Sequence, residues 1–474
     1  MKHIRLKLSG LLFMLLMLNA CSDRLELEPE QSLSESAAFA TEASSFASLM
    51  GVYSQAQLIE VFGSQPQIIQ DYMADNTEFV GSFPTLQEIK DFVQVTTNVS
   101  ISSWWQVHYR NINGANAVID RVPTVDDPAM TEAVAAQYIA EAKFMRALLY
   151  FNLVNLFGQP YNFDNGASLG VPLVLESFTG EVDLPARATV AEVHAQIRQD
   201  LLDALEGLEA NVGPGRATKN AARAYLARLH LYRGEYQEAA DFAGQVLDAG
   251  VSLAPDLSFW ASQGSSQEDI FTIVNSTVDN GRTGAGGWAS YHRPASLGGR
   301  GDCPFAESLL DAFAEEPGDL RFDELHDLVT DAAGRADVPM TRKFPDGVNN
   351  ADNSPMMRVA EVILTRAEAL AELNGVNQES VDLANQVRAR AGLDEWTTGD
   401  FSSGTELVEA ILNERRKELC FEGHRRMDLL RKGRGLRDFG PNQADAAFGA
   451  PRTIMPIPQR EIDQNPNLVQ NSGY

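Results

Sequence analysis

Apolar positions recur with the spacing of an α-helix over most of the chain. Between residues 132 and 157 this spacing is close to 3.6 residues, which predicts a long helix with one buried face. The positions that carry the pattern are Ile139, Ala142, Phe144, Leu148, Phe151 and Leu153. Gly158 and Pro160 follow directly, and both residue types end helices. Residues 189–209 repeat the pattern and are the expected partner helix.

Two further helix pairs are predicted downstream. Residues 218–249 contain two helices around Gly234-Glu235, and small alanines fall where the two helices would approach closely. This unit resembles a tetratricopeptide hairpin, with Leu226, Gly234, Tyr236 and Ala239 at matching offsets. Residues 357–392 form another such unit around Gly375, and a single helix is expected from about Glu406 to Arg431. Helix pairs of this type stack into a curved solenoid.

Irregular segments separate these helices. Residues 262–305 are rich in glycine and serine, residues 330–356 are similar, and residues 432–453 are polar. A loop of this length in a compact domain is usually functional or disordered. The chain closes with IMPIPQREIDQNPNLVQNSGY, where three prolines favour an extended course.

The first twenty residues have the pattern of an export signal. Three cations precede any anion, and Leu11–Leu18 is an apolar run of eight, far short of the about 20 residues of a membrane-spanning helix. This predicts a signal peptide over residues 1–20. Leu18-Asn19-Ala20-Cys21 resembles a bacterial lipobox, so Cys21 is the predicted lipidation site; the alternative is an ordinary signal in which the cysteine is incidental. The polar, acidic residues 21–36 would form a flexible tether.

Composition limits the classes of ligand and cofactor that the protein is expected to bind. The net charge of −27 disfavours nucleic acid and anionic headgroups as ligands, because such a surface repels phosphates. Beyond Cys21 only Cys303 and Cys420 remain. A disulfide between them cannot be read from sequence, and we expect two buried free thiols. The spacing of histidines, cysteines and acidic residues matches no metal or cofactor motif, so we predict none.

Several separate segments together resemble one family, the SusD/RagB nutrient-binding outer-membrane lipoproteins of the Bacteroidota. The segments that carry the resemblance are the lipobox with LELEP, WWQVHYRNINGANAVID (104–120), AEAKFMRALLYFNLVNLFGQPYN (140–162), the hairpin from Lys219, MRVAEVILTRAEALAELNG, NERRKELCFEGHRRMDLLRKG (413–433) and the closing segment. They span nearly the whole chain in family order.

The resemblance implies an all-α fold of about four tetratricopeptide-like hairpins supporting a loop-rich ligand-binding face. This domain would occupy residues 37–474, with the hairpins mainly in 37–255 and the ligand loops in 256–474. The resemblance also implies a function without catalysis. The protein would be lipid-anchored in the outer membrane, facing the exterior. It would bind an oligosaccharide, or in some members a peptide, and deliver it to a SusC-like TonB-dependent barrel.

Ligand-binding side chains are expected among loop aromatics, since sugar C–H faces pack on aromatic rings and hydroxyls bond to polar groups. Trp288 is the first choice, with Tyr291 and Arg293 beside it; the alternative is that Trp288 pins its loop to the core. Trp104 and Trp105 point about 100° apart on a helix, so one should face the core and the other a ligand. The resemblance adds residues near these tryptophans and upstream: Tyr109, Asn113, Tyr72, Asp75 and Asn76. Trp260 and Trp396 are expected to be structural.

Two segments invite a catalytic interpretation. In residues 413–433, carboxylates alternate with arginines at i+3 and i+4 spacing, for example Glu422 with Arg425 and Arg426, which favours ion pairing along or between helices. Residues 166–170 match G-x-S-x-G but lack the strand before and the helix after that a nucleophile elbow needs. We therefore predict no catalytic residues. The alternatives to a binding lipoprotein are a surface glycoside hydrolase and a tetratricopeptide scaffold for protein assembly.

Overall fold

The computed structural model describes residues 35–262, 266–281 and 286–474. The predicted signal peptide, the lipobox with Cys21 and most of the tether lie outside the described residues. The last two tether residues, Glu35 and Ser36, open the first described helix. Within the described part of the chain, no helix combines the length and apolar character needed to span a bilayer.

The chain is mainly helical, as predicted. The principal helices are α1 Glu35–Ala38, α2 Glu42–Ala56, α3 Gln65–Tyr72, α4 Pro84–Lys90, α5 Val99–Arg121, α6 Glu132–Phe157, α7 Val190–Gly207, α8 Lys219–Arg233, α9 Tyr236–Leu247, α10 Trp288–His292, α11 Glu307–Ala314, α12 Leu320–Asp323, α13 Val359–Asn374, α14 Gln378–Arg390, α15 Gly404–Glu418, α16 Arg425–Leu430 and α17 Gln459–Gln464. A π-helical turn, Ile59–Gly63, precedes α3.

The long helices form a layered stack of hairpins. Helix α2 packs on α5, α5 on α6, α6 on α7, α7 on α8, α8 on α9, α9 on α13 and α13 on α14. Gly234 turns α8 into α9 with a left-handed φ of 72°, a conformation that glycine adopts without steric cost. Between α9 and α13, Ala239, Ala240 and Ala369 are fully buried, so the absence of bulky side chains lets these helices approach closely. The predicted all-α hairpin architecture is confirmed.

Two short antiparallel sheets interrupt the segments that were expected to be irregular. β1 (Asp269–Ile273) pairs with β4 (Ser354–Arg358), with Asp269 opposite Arg358. β2 (His326–Val329) and β3 (Val338–Thr341) form the second sheet. The sequence pattern did not predict the first sheet, because its strands come from distant segments and each is only five residues long.

The prediction of a single helix from about Glu406 to Arg431 is wrong. The helix α15 ends at Glu418, and α16 begins at Arg425. Phe421 and Gly423 between them have positive φ angles of 67° and 82°, which a right-handed helix cannot contain. A Cβ atom on Gly423 would lie 3.0 Å from the carbonyl oxygen of Gln67, so the break lets this turn pack directly against α3.

Candidate functional site

The turn that separates α15 from α16 belongs to a buried network of charges. Glu422 pairs with Lys343 at 2.7 Å and with Arg358 at 2.7 Å, rather than with Arg425 or Arg426 as its spacing suggested. Arg425 instead binds Asp75, and Arg426 donates to the backbone carbonyls of Asn155 and Thr453. Ion pairing between elements is therefore confirmed, whereas the local partners proposed for Glu422 are wrong.

The rest of the network joins the hairpins to the strands. Its buried pairs are Arg358 with Glu268 and Glu418, Arg390 with Glu268 and Glu418, Arg321 with Asp319 and Glu414, Arg228 with Glu361, Arg415 with Glu361 and Asp428, and Arg431 with Glu368 and Asp428. Burial raises the pKa of Glu361, but the charges of Arg228, His424 and Arg415 outweigh it and hold that pKa well below its usual range. The same balance lowers the pKa of Asp428. A general acid needs a raised pKa, so these two carboxyl groups are suited to structural ion pairs and not to proton donation.

Trp288, the first choice for ligand contact, is fully buried. It begins α10, its Nε1 donates a hydrogen bond to Ser354 Oγ at 3.0 Å, and its ring stacks on Phe344 at 4.8 Å. Its exposed fraction is 0%, so no face of the ring is open to a ligand. We correct its assignment accordingly: Trp288 attaches the segment from Gly286 to His292 to the start of β4.

Trp104 and Trp105 are both buried, so the expectation that one of them meets a ligand is also corrected. Trp104 donates from Nε1 to Gln65 Oε1 at 2.9 Å. Trp105 packs edge-on against Phe157 at 4.9 Å and on Tyr109 at 5.0 Å. Both rings face inward because α5 lies between other elements, with α2 and α6 packed against it.

The other predicted residues are dispersed. Arg293 is buried and binds Asp327 on β2 at 2.8 Å. The half-buried Tyr109 donates from its hydroxyl to the carbonyl of Pro172 at 2.8 Å, and the exposed Asn113 accepts from the backbone N–H of Phe178 at 2.8 Å. Arg293 therefore supports the β2–β3 sheet, and the other two hold the 172–178 segment.

Tyr72, Asp75 and Asn76 lie at the end of α3 and just after it. Tyr72 is buried against Phe79 at 5.0 Å. Asn76 is buried too: it donates to Asp71 at 3.0 Å and accepts from Arg416 at 2.9 Å. Burial raises the pKa of Asp75, but the hydrogen bonds and charge of Arg425 reverse this and lower it. The structure thus uses Asp75 and Asn76 to attach this segment to α15 and α16, and the buried Tyr72 and Asn76 are corrected as ligand contacts.

Tyr291 is buried, with an exposed fraction of 2%, so its prediction as a ligand contact is corrected; it packs beneath an exposed aromatic surface. Its hydroxyl accepts a hydrogen bond from Gln65 Nε2 at 3.0 Å, and Gln65 in turn binds Trp104. The Arg300 guanidinium lies 4.2 Å above the Tyr291 ring and 4.8 Å from the ring of Phe83. Phe83 is 44% exposed. We call Phe83, Arg300 and Tyr291 the Phe83 stack.

Backbone hydrogen bonds build this stack from three loop segments. The N–H of Val80 donates to the carbonyl of Asp302 at 2.8 Å, and Ala332 donates to Gly301 at 3.0 Å. A Cβ on Gly81 would lie 2.7 Å from the Asp302 carboxyl carbon, so the lack of a side chain at Gly81 leaves room for this carboxylate. Asp302 also accepts from Arg300 Nε at 2.7 Å, which orients the guanidinium between the rings.

Charged side chains lie on the segments that are hydrogen-bonded to residues 301 and 302 beside the stack. Arg335 is half-exposed and pairs with Glu78 at 2.9 Å and with Asp331 at 2.7 Å. Arg300 Nη2 is buried and has no hydrogen-bond partner among the described residues. The surface therefore combines an exposed ring with hydrogen-bonding groups of both charges.

Phe83 and Arg300 were missed at the sequence level. Phe83 precedes Pro84 in the segment GSFPT, and Arg300 lies in GGRGD. Glycine, serine and proline around an aromatic residue are a signal for an exposed turn.

The sequence is similar to known protein families and to individual relatives. A family model described as SusD family matches residues 334–474, and another, described as starch-binding associating with outer membrane, matches residues 23–231. SusD-like protein P2 of Formosa agariphila is 29% identical, over 97% of this chain and 98% of that protein.

Solved structures share the architecture. A SusD superfamily protein of Bacteroides thetaiotaomicron superposes with a TM-score of 0.83 at 26% identity, covering 91% of this chain and 99% of that one. A laminarin-binding SusD-like protein superposes with a TM-score of 0.74 at 25% identity, covering 92% and 100%.

Proposed function

This chain belongs to the SusD/RagB family, and on that premise we propose that it captures oligosaccharides at the outer membrane. Matched family descriptions and a structural neighbour name starch and laminarin, both neutral glucans. The observation that carries the proposal here is the Phe83 stack, a half-exposed ring supported from below by a cation.

The stack has the chemistry that a sugar ring requires. A pyranose presents a face of C–H groups that packs on an aromatic ring, and its hydroxyls need donors and acceptors at the rim. Phe83 offers the ring, and the Arg335–Glu78 pair lies on segments that backbone hydrogen bonds join to residues 301 and 302 beside the stack. Because Arg300 is fixed by Asp302 and lies between two rings, the platform is ordered before the ligand arrives, which lowers the entropic cost of binding.

The experiment that tests the proposal is a binding panel on the purified mature chain. Isothermal titration calorimetry with laminarin-type, starch-type and charged oligosaccharides, and with a mixture of peptides, would identify the ligand class. We expect a neutral glucan to bind, since the net charge of −27 repels anionic chains. Binding of peptides alone would overturn the carbohydrate assignment.

We also propose that the protein binds without catalysis. The alternative of a glycoside hydrolase needs two carboxyls converging on the scissile bond, one of them a general acid. The acidic residues of the 413–433 segment are instead engaged by arginines and lysines, as Glu422 is by Lys343 and Arg358. Chromatography of each glycan after prolonged incubation tests this proposal, and turnover of any of them would reject it.

We propose that the partner is a SusC-like TonB-dependent barrel, to which the protein delivers its ligand. The protein would be lipid-anchored and face the exterior. Affinity purification from detergent-solubilised outer membranes should recover a barrel protein with this chain. Recovery of soluble proteins bound to the hairpin stack, with no barrel, would favour the scaffold alternative instead.

Replacing Phe83 with alanine should weaken binding of the identified glycan by about tenfold or more, equivalent to about 1.4 kcal/mol. The melting temperature should change little, because the ring is half-exposed. Phe163 is the matched control: it is 43% exposed and packs against another aromatic ring, that of Phe448. Phe163→Ala should leave affinity unchanged, and equal losses in both variants would exclude a specific role for Phe83.

Cys21 remains the predicted anchor. Cys21→Ala should release a folded, ligand-binding protein into the soluble fraction, because the diacylglycerol attachment site is lost and stable anchoring requires more than one acyl chain. Cell fractionation with an antibody measures the release, and growth on the identified glycan measures uptake. Retention in the membrane fraction would contradict the assignment of Cys21.

A further inference from the structure

A second concave region runs along β1. It consists of two depressions of about 300 and 360 Å³, each at the lower limit of volumes typical of ligand sites. Both are lined by the turn Pro214–Arg216, so they adjoin. We call the pair the β1 groove.

The turn between the depressions is built to lie against β1. Gly215 has a φ of 73°, and a Cβ at this position would lie 2.6 Å from a methyl carbon of Val274 and 3.6 Å from the carbonyl oxygen of Thr272. Only glycine combines this conformation with this proximity. The turn therefore lies against the end of β1 and separates the two depressions.

The first depression presents a fixed aromatic ring. The Tyr53 hydroxyl donates to the buried Glu141 carboxylate at 2.8 Å and accepts from the N–H of Ala217 at 3.0 Å. Arg216 binds the same carboxylate through Nε at 3.0 Å. With its hydroxyl engaged on both sides, the half-buried Tyr53 ring has one orientation. Val274, 38% exposed, adds an apolar wall.

Five uncharged polar side chains contribute to the lining of the second depression, namely Asn211, Thr218, Asn220, Ser266 and Thr272, beside apolar residues and two charged ones. Its carboxylate, Asp269, accepts a hydrogen bond from the backbone N–H of Ser266 at 2.7 Å. Hydroxyls and amides in this number suit a ligand with many hydroxyl groups. The carboxylates of Asp269 and, in the first depression, Asp279 disfavour an anionic one.

We propose that the β1 groove is a second binding site for a neutral oligosaccharide, with Tyr53 as its ring platform and the polar depression as its hydroxyl-binding end. The choice of ligand class rests on the proposed function. The site itself rests on the paired depressions, the Tyr53 ring fixed by its hydroxyl, and the polar side chains of the second depression; Arg216, which lines both depressions, is neutralised by its pair with Glu141. Two sites on one chain would let it retain a long glycan by two contacts, with an effective local concentration that raises avidity.

The test compares variants that obstruct each site separately. Ser54→Trp introduces a bulky ring at an exposed residue that lines the first depression. Gln245→Trp is the control, since Gln245 is exposed on α9 and lines neither depression. Calorimetry uses a short laminarin-derived oligosaccharide at a concentration that fills the wild-type sites but leaves a site weakened tenfold or more mostly empty. Under these conditions we expect two molecules bound per wild-type chain, one for Phe83→Ala, one for Ser54→Trp, and none for the double variant.

Hydrogen exchange provides an independent measurement. In the Phe83→Ala background, saturating oligosaccharide should slow exchange in residues 210–218 and 269–274, and Ser54→Trp should abolish that protection. One molecule bound per wild-type chain, with Ser54→Trp equal to wild type, would overturn the β1 groove and leave the proposed function intact. Absence of oligosaccharide binding in every chain would overturn the proposed function, and the β1 groove with it.

Discussion

Replacing Arg358 with methionine is expected to lower the free energy of unfolding by about 3–5 kcal/mol, because one partner of a buried ionic cluster is removed. Arg358 is 2% exposed. Its guanidinium binds Glu268 at 3.1 Å, Glu418 at 3.0 Å and Glu422 at 2.7 Å. Methionine fills much of the same volume, so the loss would arise from carboxylates left without their cation.

The control for this variant is an ion pair at the surface. Arg434 pairs with Glu409, and the two side chains are 40% and 46% exposed. Because exposed pairs contribute about 0–1 kcal/mol, Arg434→Met should have little effect in the same urea denaturation series. Similar losses of unfolding free energy in the two variants would show that the effect of Arg358→Met does not depend on the burial of Arg358.

This cluster explains how the loop segments are held on the hairpin stack. Arg358 ends β4, Glu268 directly precedes β1, and Glu418 ends α15. Arg416 and Arg425 extend the contacts to Asp75, just after α3. Elements far apart in sequence are therefore joined by charges in the interior, where an unpaired partner is costly.

The helical pattern predicted the hairpin stack well because each helix carries its own periodicity. Residues 132–157 were expected to be one helix, and α6 spans Glu132–Phe157. The break after α15 was not predicted, since Phe421 in a left-handed conformation has no local signal. The β1–β4 sheet was missed for a related reason: its strands come from distant segments.

The proposed ligand surface was harder to predict because its residues are distant in sequence and come together only in the folded chain. Phe83 and Arg300 lie in different segments, and backbone hydrogen bonds from Val80 to Asp302 and from Glu78 to Pro304 bring these segments together. A glycine-rich segment around Trp288 suggested an exposed loop, yet Phe344 and Ser354, which bury the ring, lie far downstream. Tyr291 was predicted on sequence grounds, and it supports the surface from beneath, through Arg300.

Trp288→Ala is expected to lower the free energy of unfolding by about 3–5 kcal/mol, the usual cost of truncating a large buried aromatic side chain. The variant removes the stack on Phe344 and the hydrogen bond to Ser354 Oγ, and it leaves a cavity beneath α10. Trp288→Phe keeps a ring in this position and loses only the Nε1 donor and part of the volume, so its loss should be clearly smaller.

Binding measurements on the same variants separate the two roles that the sequence allowed for Trp288. At a temperature where Trp288→Phe is fully folded, its affinity for the identified glycan should equal that of the wild type, because the ring has no exposed face. A variant with an unchanged melting temperature and lost affinity would restore Trp288 as a ligand contact. We expect instead that Trp288 variants lose stability and keep their affinity, and that Phe83→Ala loses affinity and keeps its stability. This result would assign the core role to Trp288 and the ligand role to Phe83.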